Sequence, residues 1–147
     1  MIRHVTSLIC GKVLTDERTK LPSFIDVLNG ASFSLTGLPS QIPPLTLTST
    51  WFYDSENKKK ISFRMGIIAP GTEKKKILLE QVIVIGGKAG RTANVNVEIA
   101  NLVVEHEGEY LVTVETKRNT RWKLDSEIPF IVNLVKESKG NALPPKQ

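Results

Sequence analysis

The sequence predicts an all-β fold, a single antiparallel β-sandwich of eight or nine strands. Alternation with period two recurs along the chain, and clusters of Gly, Pro, Asn, Asp and Lys interrupt it at short intervals. No stretch carries the 3.6-residue spacing of an amphipathic helix. Ile61, Phe63, Met65 and Ile67 alternate with Ser62, Arg64 and Gly66. Val95, Val97 and Ile99 alternate with Asn94, Asn96 and Glu98, and Tyr110, Val112 and Val114 with Leu111, Thr113 and Glu115. Ile128, Phe130, Val132 and Leu134 repeat the pattern. Each such run should turn one face to a core and one to water.

In chain order, strands are expected near 2–11, 21–35 (bent near Asn29-Gly30), 45–53, 61–69, 77–86, 92–104, 109–117 and 121–124, with 128–134 as a further strand. Ile77-Leu78-Leu79 and Val82-Ile83-Val84-Ile85 are apolar on both faces, which predicts a covered, central strand. Leu38-Pro39-Ser40-Gln41-Ile42-Pro43-Pro44 is too rich in proline for a central strand and should connect the sheets. Residues 1–138 form the expected domain, with 139–147 as a flexible C-terminal tail.

Composition agrees with a globular domain. Of 147 residues, 40% are hydrophobic and 24% charged. A chain of this size buries roughly 68–70% of its unfolded surface and needs no crosslink to fold. Cys10 is the only cysteine, so an intrachain disulfide and a four-cysteine zinc site are excluded. It lies beside Leu8 and Ile9, where a thiol serves as a small buried hydrophobe. No apolar run approaches the roughly 18 residues of a membrane span, and the N-terminal residues have no secretory h-region. A cytoplasmic location without membrane contact is the resulting expectation.

Catalysis finds little support. His4 and His106 are the two histidines, and a nucleophile–histidine–carboxylate set has no local signature at either. Glu105, Glu107 and Glu109 cluster in a turn rather than on opposing walls of a cleft. No acidic spacing fits a calcium loop, and no cofactor motif is present.

The segment His106-Glu107-Gly108-Glu109-Tyr110-Leu111-Val112 resembles the tyrosine corner of immunoglobulin-like sandwiches. In that reading Gly108 permits the turn and the Tyr110 hydroxyl bonds back to nearby backbone. Trp51 would then be the core tryptophan of strand C, and Val112 stands where antibody domains have a cysteine. A wider pattern includes the strand ending near Cys10, the Asp16–Lys20 turn, Leu21-Pro22-Ser23-Phe24-Ile25-Asp26-Val27, the proline-rich link and Pro129-Phe130-Ile131-Val132. It is similar to an uncharacterised family of short bacterial immunoglobulin-like β-sandwich proteins of unknown function. That resemblance implies an architecture without a structural disulfide, and no activity.

The formal charge is +5. If every expected strand crosses the domain, connections 11–20, 54–60, 86–91 and 117–121 share one end, with eleven cations against Asp16, Glu17, Asp54 and Glu56, a net of +7. The opposite end, with 36–44, 70–76, 105–109 and 125–127, would carry −3. Lys88, Arg91, Lys117, Arg118, Arg121 and Trp122 are the candidate polyanion-binding residues, joining basic groups to one aromatic. Gly86-Gly87-Lys88-Ala89-Gly90-Arg91 lacks the Walker A pattern and reads as a hairpin turn. The expected function is a non-catalytic protein-interaction domain, binding another protein or a second copy through an edge strand such as 2–11 or 127–135. Nucleic-acid or other polyanion binding at the basic end is the alternative.

Overall fold

Alternation builds the core as expected. Ile61, Phe63, Met65, Ile67, Tyr110, Val112, Val114, Ile128, Phe130 and Val132 are all buried in one cluster with Ile9, Leu47, Trp51, Val95 and Ile99. The computed structural model describes residues 1–28, 32–87 and 92–136, all in strands and connections. The expected bend at Asn29-Gly30 and the C-terminal tail lie outside the described residues.

The strands are β1 (Ile2–Thr15), β2 (Pro22–Val27), β3 (Ser32–Leu35), β4 (Ser40–Gln41), β5 (Leu45–Tyr53), β6 (Lys59–Ile68), β7 (Lys75–Ile85), β8 (Thr92–Ile99), β9 (Val103–Val104), β10 (Gly108–Arg118) and β11 (Arg121–Leu134). One sheet has the order β2-β1-β5-β8 and the other β3-β11-β10-β6-β7, with β4 and β9 forming a short separate pair. Trp51 of the first sheet meets Phe63 of the second edge to face, 5.5 Å between centroids. The protein is thus all-β, two sheets over a shared core, with Cys10 a free buried thiol.

Several expectations need correction. The second sheet is mixed, because β3 pairs parallel with β11. The described strands number eleven. Expected strand 21–35 is two strands in different sheets, and 121–134 is one continuous strand. Asp125-Ser126-Glu127 has the composition of a turn but forms a bulge, with Val114 opposite Ser126 and Glu115 opposite Leu124. Asp125 is the extra residue. β7 is an edge strand of its sheet, not a central one, with Val82 and Val84 61% and 54% exposed. Trp51 lies on β5, in the sheet opposite β10 rather than on a strand beside it.

The water-facing side of β10 is also drier than alternation implies. Thr113 and Glu115 are buried beneath Arg64 and Lys75. Gly66 makes this approach feasible, since a Cβ there would meet Lys75 Cγ at 2.8 Å and Thr113 Oγ1 at 2.9 Å. At the entry to β10, Tyr110 Oη donates to the His106 carbonyl at 3.0 Å and accepts from the His106 amide at 3.1 Å. Gly108 supplies the left-handed turn, with φ +123°.

The bulge residue Asp125 joins the sheets. Its Oδ2 accepts from Trp51 Nε1 at 3.1 Å and Thr116 Oγ1 at 2.6 Å, while Arg118 lies 3.7 Å from Oδ1. The carboxylate is almost fully buried, its side chain 1% exposed. Asp125→Ala should therefore lower stability by on the order of 3 kcal/mol, since it strands buried donors and a guanidinium. Asp54→Ala, at an exposed ion pair with the N-terminus, should change it by less than about 1 kcal/mol. Urea denaturation of both variants checks the contrast.

Candidate functional site

The β5–β6 connection, the turn from β10 to β11 and the start of β1 meet at one end of the sheets. Met1 pairs with Asp54, and Arg118 Nη1 donates to the Ile2 carbonyl at 2.6 Å. Gly86 and Gly87 pack here too, against Asn57 and Lys58. Lys58, Lys59, Lys60, Lys117, Arg118 and Arg121 thus share the end with Asp54 and Glu56, six cations against two carboxylates among the described residues, a net of +4 in place of the expected +7. Lys88 and Arg91 lie outside the described residues. The 11–20 connection does not belong to this end. β1 runs on past Cys10 and pairs with β2 as far as Thr15 opposite Pro22, so the turn projects from the opposite end. Strand parity failed there because β2 returns only to the level of Cys10 and does not cross the sheet.

Arg118 is a structural side chain. Besides the Ile2 carbonyl and Asp125, its Nε donates to Thr116 Oγ1 at 3.0 Å. Lys117 is exposed and, with Arg118, Lys59, Lys60, Ser62 and Asn119, lines an open cleft of about 360 Å³. Trp122 lies on the outer face, where the Arg64 guanidinium stacks 4.2 Å from its ring centroid and Lys117 Nζ lies at 6.0 Å. Arg64 also holds Glu115 through two hydrogen bonds, at 2.7 and 3.2 Å, and Lys75 reaches the same carboxylate at 3.0 Å. Burial pushes the Glu115 carboxyl upward, but the hydrogen bonds from Arg64 and Lys75 outweigh it and hold the group below its ordinary value. Of the six candidates, Lys117 and Arg118 line one cleft, Trp122 stacks under Arg64 with Lys117 near its ring, and Arg121 is exposed.

Alternation puts His4 and Ser7 on opposite faces of β1. The β1–β5 register shifts between His4 and Thr6, which makes Val5 an extra residue and turns both side chains inward. His4 Nε2 and Ser7 Oγ are 2.7 Å apart, and Ser7 Oγ lies 2.6 Å from Ser49 Oγ. This pairing of a histidine with a serine is invisible in the sequence. Asp125 attracts the imidazole electrostatically, yet its Oδ2 is taken by Trp51 and Thr116. The chain of hydroxyls lines the flank where β1 and β11 approach.

The opposite flank is open. Between edge strands β7 and β8 lies a groove of about 570 Å³, floored by Met65, Ile67, Leu79, Val97, Ile99 and Leu102. Lys76, Glu98 and Glu105 stand among its polar lining. A second hollow of about 500 Å³ lies between the same strands nearer the basic end, beside Ile83, Val84, Ala93 and Val95. The sequence signal for this groove was the two-faced apolarity of 77–85. Among the described residues no group of His, Cys, Asp and Glu side chains is placed to hold a metal ion, and no helix is long and apolar enough to cross a membrane.

No protein-family model matches the chain, and no curated protein matches its sequence. Solved structures do. A β-glucosidase from Erythrobacter marinus superposes with a TM-score of 0.51 at 11% identity, covering 89% of this chain and 15% of that one. A β-glucosidase involved in saponin metabolism, from intestinal bacteria, gives 0.55 at 14% identity, covering 90% and 16%. The chain thus spans about one sixth of the length of these enzymes, and the likeness is one of fold.

Burial depresses the His4 imidazole below its ordinary value of 6.5, with Asp125 opposing that shift. The unfolded chain binds this proton more tightly, so the His4 contribution is complete above 6.5 and is lost as pH falls through the depressed folded value. His4→Gln should flatten the stability profile in this window. Urea midpoints of both proteins between about pH 7.5 and pH 5 check this, and equal slopes would refute it.

Proposed function

We propose that the chain is a non-catalytic interaction domain with an immunoglobulin-like sandwich architecture and no structural disulfide, which binds an extended segment of another protein along the groove between β7 and β8. The observation that carries this reading is the pair of edges, unpaired among the described residues, beside an apolar floor. β7 and β8 end their sheets on the same flank. Strand addition needs main-chain donors and acceptors on an open edge and pockets for alternate side chains. Val82 and Val84, exposed on an edge strand, are the residues that a partner would cover.

The architecture is supported by the order β3-β11-β10-β6-β7 facing β2-β1-β5-β8, and by the Tyr110 bond to His106 at the entry to β10. The similarity to short bacterial proteins of that architecture suggests a bacterial cytoplasmic protein, and a lone free thiol suits a reducing compartment. The likeness to a segment of β-glucosidases bears on fold and brings no activity with it.

A phage-displayed peptide library selected on the full chain should yield peptides with alternating apolar residues. The double variant Val82→Lys, Val84→Lys should weaken their binding at least tenfold while keeping the fold, since both positions are exposed. Selected peptides that bind the variant equally well, or a selection that yields none, would reject strand addition. Light scattering of the same pair identifies the occupant. A dimer that the substitutions disperse means that a second copy fills the flank.

A further inference from the structure

The cleft at the basic end carries an inference independent of the β7–β8 groove. Lys59 and Lys60 begin β6, and Lys117 lies near the end of β10, two strands paired directly in the same sheet. The three side chains are exposed and line one concavity. Among the described residues no carboxylate forms an ion pair with any of the three. Three other basic side chains are paired with carboxylates. Arg64 and Lys75 share Glu115, and Arg118 faces Asp125. Three ammonium groups around one hollow repel each other, and a bound anion relieves that repulsion.

The remaining lining narrows the chemistry. Ser62 and Asn119 offer neutral polar groups, and Arg118, fixed by the Ile2 carbonyl and Thr116, forms a rigid wall. A compact oxyanion with several acceptor atoms uses ammonium and neutral donors together. A nucleic-acid base is a poorer match, because Arg64 already stacks on the Trp122 ring and Lys117 lies near it. We propose that Lys59, Lys60 and Lys117, with Ser62 and Asn119, form a binding site for a phosphate group. The group is free or part of a polymer backbone, and it is held by its charge and oxygens without stacking of a base.

Two probes separate the sources. Inorganic pyrophosphate and a short oligothymidylate are titrated separately against the full chain, and amide shifts of Lys60, Lys117 and Asn119 are followed by NMR. Binding of pyrophosphate assigns a free phosphate compound, and binding of the oligonucleotide alone assigns a polymer backbone. In either case the triple variant Lys59→Ala, Lys60→Ala, Lys117→Ala should lose at least tenfold in affinity. For the oligonucleotide, three phosphate contacts predict a slope of about −2 for log K against log salt. Lys12→Ala with Lys20→Ala, at the opposite end, should leave affinity within about twofold at moderate salt, where charges beyond a Debye length are screened. Absence of binding by both probes at about 50 mM salt overturns the proposal. So does a triple variant that binds as well as the parent, or one no weaker than the Lys12/Lys20 variant.

Discussion

Asp125 is the group on which the arrangement of the two sheets turns. A β-bulge rotates it inward, and its carboxylate collects Trp51 from one sheet and Thr116 from its own, beside Arg118. Arg118 then reaches the Ile2 carbonyl at the start of β1. A buried carboxylate is costly unless it is paired and hydrogen-bonded, and here Oδ2 accepts two hydrogen bonds while Oδ1 has the Arg118 guanidinium 3.7 Å away. These contacts also lock the position of β1 against the β10–β11 hairpin. The Trp51 indole is thereby oriented against Phe63, at the centre of the apolar cluster.

This network makes the two flanks unlike. On the β1–β11 side, a polar seam of His4, Ser7, Ser49 and Asp125 faces inward, and every hydroxyl in it has a partner. The seam uses two bulges, at Val5 and at Asp125, each of which adds an inward polar side chain where alternation would place one outward. On the β7–β8 side no equivalent seam exists among the described residues, and the sheets part over an apolar floor. The same asymmetry explains why the basic cleft is free to bind. Arg118 is spent on the seam, whereas Lys117, the next residue along β10, takes the other face and stays exposed.

Alternation made the inner face legible, because side-chain burial follows a period of two wherever a strand is regular. Phe63, Met65, Val112 and Phe130 could be placed from the sequence alone, as could the backbone bond of Tyr110. What alternation cannot carry is a shift of register. Val5 leaves no mark in composition and Asp125-Ser126-Glu127 reads as a turn, and so the His4–Ser7 pair and the Trp51–Asp125 bond were hidden. Nor does it count how far a strand travels. β2 answers the projecting part of β1, and this moved Lys12, Arg18 and Lys20 to the end opposite Lys59 and Lys117. Apolarity on both faces was ambiguous in a different way. Residues 77–85 suit a strand covered on both sides by its own domain, and equally an edge whose cover comes from another chain.

The edges themselves favour the second of those meanings. Natural edge strands are blunted by proline, charge or distortion. β2 has Pro22 at its start and Asp26 in the left-handed region, φ 52°, both of which spoil a ladder. The first half of β7 carries Lys75, Lys76 and Glu80, and its register with β6 shifts near Leu78. From Gln81 to Ile85 nothing of the kind appears. The pairing with β6 is regular, Val82 and Val84 project from the outer face, and Ile83 and Ile85 anchor the strand in the core. A regular, anchored, uncharged edge is unstable against association unless it has a specific cover. The β7 edge is therefore where a partner strand gains most, and its position beside the apolar hollow gives that strand somewhere to place its side chains.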